Sequence, residues 1–132
     1  MDQPLWQPSP DRIAAANATR FIAQLRDQWG VELADFQALW RWSVTEKEKF
    51  WTAMWDFAAI RAETRGDAVV DDPKAMPGAR WFPDARLNYA ENLLRRRDDA
   101  PAMIFRGEDG ARRELSWHAL HDLVSRMAQA LT

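Results

Sequence analysis

Between Leu39 and Phe57 apolar and polar positions alternate with the period of a helix. Phe50, Trp51, Met54, Trp55 and Ala58 fall at i, i+1, i+4, i+5 and i+8, one wide apolar stripe. Lys47 and Lys49 take the opposite side. Ser43 and Glu46 stand three apart, the spacing of a capping box, so the pattern predicts a helix opening at Ser43. Four of the eight tryptophans lie in this stretch. Each buried aromatic removes roughly 150–250 Å² from water. At about 25 cal/mol per Å² that is on the order of 4–6 kcal/mol gross per ring. The stripe is read as the centre of the core, although the same rings have the chemistry to stack on a ligand.

The same reading extends along the chain. Residues 1–8 are an extended lead-in, with Pro4 and Pro8 opposing helix and Leu5 and Trp6 pinning it to the body. Ser9, Pro10 and Asp11 carry the signals of a helix start, and Gly30 those of a stop. Ala14, Ala18, Phe21, Ile22, Leu25 and Trp29 form the inner face of this one long helix. Asp35 caps a shorter helix with Phe36, Leu39 and Trp40 inside. Residues 66–80 hold two glycines and two prolines among acids and read as loop, after which Trp81-Phe82-Pro83 returns to the core. Asn88 and Glu91 repeat the cap spacing before a short helix with Leu87, Tyr89, Leu93 and Leu94.

At Pro101 the period changes. Residues 102–106 and 112–116 flank Gly107-Glu108-Asp109-Gly110-Ala111, a hairpin with an Asp-Gly turn. Ser116 caps a last helix with Leu120, Leu123, Val124, Met127, Ala128 and Leu131 on one face. A lone hairpin is marginal, and a strand–helix succession opens an α/β layer, so further strands are expected beyond Thr132. The expected fold class is α+β, predominantly helical. A helical cap fills residues 1–100, and residues 101–132 are the first hairpin and helix of an incomplete domain.

Composition narrows the function classes. The 132 residues carry a net charge of −2, which provides no global attraction to nucleic acid or an anionic membrane. There is no cysteine, hence no disulfide, thiolate nucleophile or zinc ribbon. No apolar run has the length of a membrane span, and the opening residues lack the pattern of a signal peptide, so a cytoplasmic location is expected.

Candidate chemistry is sparse. His118 and His121 have metal-pair spacing without a third ligand, and two surface histidines fit the pattern as well. Asp71 with Asp72, and Asp98 with Asp99, are adjacent carboxylates on loops. Arg95-Arg96-Arg97 suits a phosphate site or the cation preference of a helix C-terminus. Gly107 and Gly110 fit a turn better than a phosphate-cradling loop. No catalytic, cofactor-binding or metal-ligating residue is assigned from these patterns.

Trp40-Arg41-Trp42-Ser43-Val44 with Phe50-Trp51-Thr52-Ala53-Met54-Trp55 resembles the N-terminal region of the acetyl-CoA synthetase group. The run from Pro77-Gly78-Ala79-Arg80-Trp81-Phe82-Pro83 to Asn92-Leu93-Leu94 resembles the acetoacetyl-CoA synthetases more closely, and it lacks the cysteine-containing helix usual in acetyl- and propionyl-CoA synthetases. Residues 102–108 and Leu115-Ser116-Trp117 resemble the first hairpin of the adenylate-forming fold. The resemblance implies the N-terminal region of an AMP-forming acid–CoA ligase that activates acetoacetate with ATP and transfers it to CoA. In such a family the phosphate loop, the AMP-gripping motifs, the catalytic lysine and the lid lie downstream, so no catalytic residue carries over. ATP, Mg²⁺ and CoA are implied for the complete enzyme, none for this chain, which is expected to be inactive alone. The expected partner is the AMP-binding core of the synthetase. A free-standing helical interaction module, or the same region of an acetyl- or propionyl-CoA synthetase, is the alternative.

Overall fold

In a computed structural model, which describes residues 5–131, the Ser9 hydroxyl accepts from the Arg12 amide at 3.3 Å and opens α1 (Pro10–Ala14). The expected long helix is broken after one turn. Ala16 swings to φ −68°, ψ 142°, and α2 (Asn17–Trp29) starts anew. The Thr19 hydroxyl donates to the Ile13 carbonyl at 2.7 Å, an acceptor that a continuous helix would give to the Asn17 amide. Gly30 closes α2 in the left-handed region at φ 63°, its amide on the Arg26 carbonyl and that of Val31 on Leu25.

Asp35 caps α3 (Phe36–Thr45), its carboxylate accepting from the Ala38 amide at 2.7 Å. Ser43 lies inside α3, not before a helix, and its hydroxyl donates to the Trp40 carbonyl at 2.7 Å. The expected capping box is therefore not formed. Glu46 is the joint itself (φ −113°, ψ 51°) leading into α4 (Lys47–Phe57), and its carboxylate meets Lys49 at 2.8 Å.

The buried centre is small: Phe21 and Leu25 of α2, Leu39 of α3 and Ala53 of α4. Ile22, Trp29, Val31, Leu33, Trp42, Phe50, Met54 and Phe57 pack round it. Phe21 holds Phe57 at 5.0 Å and Phe50 edge-on at 5.8 Å. The working stripe of α4 is thus Phe50, Ala53, Met54 and Phe57, rotated from the expected one. Trp51, 42% exposed, instead meets Trp81 at 5.6 Å, and Trp55 meets Phe82 at 4.7 Å. Phe36, Trp40, Ala14 and Ala18 are exposed, against expectation. So are Leu5 and Trp6: they pin nothing, and Trp6 lies under the Arg12 guanidinium. Pro4 falls outside the described residues.

Trp81-Phe82 does return the chain to the helical body, as the sequence implies. Isolated bridges join Val70 to Trp81 and Thr64 to Arg86. At Gly66, with φ 75°, a side-chain Cβ would stand 2.5 Å from that of Asp84, so only glycine fits. Asp71 takes the Arg80 amide at 2.9 Å and its Nε at 2.6 Å, closing residues 71–80 into a loop.

By packing the chain divides into two units, one ending at Arg86 and the next beginning at Leu87. In the second, Asn88 caps α5 (Tyr89–Leu93) through the Glu91 amide at 3.2 Å. Leu87, Tyr89 and Leu93 are exposed, not inward. Antiparallel β1 (Pro101–Arg106) and β2 (Arg112–Ser116) form the expected hairpin, with Gly110 at φ 81° in its turn. The Ser116 hydroxyl accepts from the Ala119 amide at 3.2 Å and starts α6 (Trp117–Leu131), which packs on both strands. Leu123, Val124, Met127 and Leu131 on α6 remain exposed. No helix among the described residues is long and apolar enough to cross a membrane.

Burial ranks the substitutions. Leu25→Ala should cost about 2–5 kcal/mol, and Trp51→Ala, with two-fifths of its surface already in water, about half that range. Urea midpoints measure both, and equal losses would mean that Trp51 belongs to the buried centre.

The caps give a second test. Asp35→Ala and Asn88→Ala should each lose about 0.5–2 kcal/mol. Ser43→Ala should fall within about 0.5 kcal/mol of the parent, the range of ordinary surface changes.

The Asp71 carboxyl is held down to about 2, chiefly by the Arg80 amide and then by its guanidinium. A depressed carboxyl stabilises the fold above its ordinary value near 3.8 and loses that contribution as pH falls toward 2. Its carboxyl carbon should titrate near 2 by NMR, and Arg80→Ala, which removes the guanidinium but keeps the amide, should return it only part of the way to the ordinary value.

Candidate functional site

The first unit holds an open groove where the α3–α4 joint faces the returning loop. Val44, Lys47, Trp51, Pro73, Met76 and Trp81 are among the residues that line it. The groove exists because Trp81 is drawn onto Trp51, which brings Pro73 and Met76 across the start of α4. The Lys47 ammonium donates to the Pro73 carbonyl at 3.3 Å and ties the two walls together. Lys74 lines the groove as well, while Glu46 and Glu48 stand along its continuation, so cations and carboxylates nearly balance. Two indoles and two ammonium groups make a contact surface. They supply no nucleophile, and the nearby carboxylates offset any pull on an anion.

The residues considered from sequence are scattered. His118 and His121 both turn to Asp122, at 3.5 and 3.7 Å. No group of three histidines or carboxylates with metal-holding geometry occurs among the described residues. Asp71 is committed to Arg80, and Asp98 to Arg96 at 2.7 Å. That guanidinium, then the Ala100 amide, holds the Asp98 carboxyl below its ordinary range. A carboxylate locked as an acceptor is poorly placed to take a proton at neutral pH.

The arginine run does not converge. Arg95 donates to the Asn92 carbonyl at 2.9 Å and Arg97 to Leu94 at 3.4 Å, as expected at a helix C-terminus. Arg96 lies over the Trp117 ring, 5.8 Å from its centre. Gly107 and Gly110 close the hairpin turn, joined by a 3.1 Å bond between their backbones. The groove leaves no mark in the sequence, because its second wall, residues 73–81, is an irregular loop that no periodic signal ties to α4.

Comparison with known proteins gives these surfaces a context. Residues 36–93, from α3 through the groove to α5, match the family described as acetyl-coenzyme A synthetase N-terminus. An acetoacetyl-coenzyme A synthetase of Rhizobium meliloti is 42% identical over 130 residues, 98% of this chain and 20% of that protein. A malonamoyl-CoA synthetase of Penicillium aethiopicum is 36% identical, across 92% of this chain and 18% of that one. The solved acetoacetyl-CoA synthetase from Streptomyces lividans superposes with a TM-score of 0.77 at 41% identity, covering 88% of this chain and 18% of that one. The chain thus spans about a fifth of the length of the relatives it matches. Family model, relatives and solved fold agree: residues 36–93 match the acetyl-coenzyme A synthetase N-terminus, and nearly the whole chain is similar to a part of acetoacetyl-CoA synthetases.

Proposed function

We propose that this chain is the N-terminal region of an AMP-forming acetoacetate–CoA ligase. In this reading residues 1–100 act as a helical cap, and residues 101–132 open the AMP-binding domain. The observation that carries it is the 42% identity to an acetoacetyl-coenzyme A synthetase across 98% of the chain. The names of two relatives sharpen the substrate class. Acetoacetyl and malonamoyl groups differ at their ends but both carry a carbonyl at carbon 3. A short acid of that kind is the proposed substrate, activated to its adenylate and then passed to CoA, in the cytoplasm.

The residues of this chain do not fit the ATP, Mg²⁺ and CoA that such a ligase uses. Adenylate formation calls for backbone donors round a triphosphate and fixed positive charge at the leaving pyrophosphate. Here the left-handed glycines serve a helix stop, two loop positions and a hairpin turn, and Arg96 is bound to Asp98. No catalytic step is therefore assigned to these side chains. Their proposed work is to complete and support the core that holds the nucleotide.

The test mixes the chain with ATP, Mg²⁺, acetoacetate and CoA and follows pyrophosphate release. The chain alone should stay at the no-enzyme baseline. Joined to the remainder of the Streptomyces lividans enzyme in place of its own N-terminal region, it should restore turnover with acetoacetate in preference to acetate. Turnover by the chain alone, abolished by Lys74→Ala or Arg96→Ala, would overturn the proposal. A folded but inactive chimera would favour a free-standing interaction module, for which the exposed face of α6 is one available surface.

A further inference from the structure

The two strands of the hairpin are chemically unlike. β1 carries Met103, Ile104 and Phe105 in succession, each more than half exposed. Successive strand residues point to opposite faces, so β1 is apolar on both. β2 carries Arg112, Arg113 and Glu114 over the same length, with Arg112 and Glu114 paired at 3.1 Å. A continuous apolar run marks an inner strand covered on both faces, whereas charges mark an edge.

The ladder shows which backbone groups are open. At the turn the Gly107 amide donates to the Ala111 carbonyl at 2.8 Å. Phe105 stands opposite Arg113 and Met103 opposite Leu115, with Ile104 facing Glu114 and Arg106 facing Arg112. Because ladder bonds alternate, the backbone N–H and C=O groups of Ile104 and Arg106 turn away from β2. Those of Glu114 and Arg112 turn away from β1. Among the described residues both edges are open, but only one has the side chains of a strand meant to be covered.

We infer that the sheet grows from β1 and not from β2, and that the added strand comes from the rest of a synthetase chain and bonds to Ile104 and Arg106. This rests on the function proposed above, for the relatives carry this region as about a fifth of their length. The remaining four-fifths supplies a partner that a short chain lacks. Apolar residues of α6, which packs on the hairpin, are exposed as well, Val124 and Met127 among them.

The chimera with the Streptomyces lividans remainder tests this through backbone amides. Exchange at Ile104 and Arg106 should be fast in this chain alone and slower by on the order of 100-fold or more in the chimera, while Arg112 and Glu114 stay fast in both. Ile104→Pro deletes one outward N–H and no bond to β2, and should cost the chimera at least about tenfold in acetoacetate turnover. Ile104→Val keeps that N–H and should restore it. Glu114→Pro deletes the matching donor on β2 and should leave turnover within about twofold, as an edge position allows. An active chimera that protects Arg112 and Glu114, or leaves Ile104 and Arg106 fast, would overturn the edge assignment. Protection of Ile104 in this chain alone that grows with concentration would assign the edge to a second copy and overturn the proposed occupant. A folded chimera with no turnover, whatever its exchange pattern, would instead remove the synthetase reading beneath it.

Discussion

The first unit depends on one ring. Phe21 enters between Phe50 and Phe57, and Ala53 lies one turn from each on the same stripe, fully buried. A methyl side chain there lets α2 and α4 approach closely while the flanking aromatics close over the contact. A larger residue at 53 would displace the ring or force the aromatics from their rotamers, the usual cost of overpacking. Everything else in the unit follows from that seat. With Phe50 and Phe57 turned inward, Trp51 and Trp55 must face sideways, where the returning Trp81 and Phe82 cover them.

This is also where sequence reading succeeds and fails. The caps that rest on local hydrogen bonding were legible: Ser9, Asp35, Asn88 and Ser116 all do what their neighbours imply. The Ser43–Glu46 pair had the same spacing and did not form, because α3 had already incorporated Ser43 and its hydroxyl found the Trp40 carbonyl. Spacing cannot tell a cap from the last turn of the preceding helix. The apolar stripe of α4 was visible, but which arc of it faces inward was not. Large rings drew the reading toward Trp51 and Trp55, whereas close approach of α2 selected the smallest residue, Ala53. The break at Ala15–Ala16 left no mark at all, since alanine favours helix on either side of it.

The candidate site was legible mainly through resemblance. Several of the charged groups with apparent chemical potential are engaged in holding their own neighbourhood: Asp71 shuts a loop, Arg96 joins Asp98 and the Trp117 ring, and Arg95 and Arg97 serve the end of α5. Such pairs supply structure, not reactivity. The groove beside α4 and the uncovered hairpin are contact surfaces, and a contact surface acquires a function only from what lies against it. That is why likeness to the opening fifth of longer synthetases explains more here than any single side chain.

The two-faced apolar character of β1 has a bearing on biosynthesis. In a synthetase built like the relatives, this hairpin would leave the ribosome with some four-fifths of the chain still to be made. At about 5–20 residues per second the covering segments would follow tens of seconds later. During that interval Met103, Ile104 and Phe105 would stand beside an open strand edge, the arrangement most prone to pairing with a stranger. The arginines and Glu114 of β2 shield one side of the nascent hairpin only, so in such a chain the β1 side would stand open until those segments arrive.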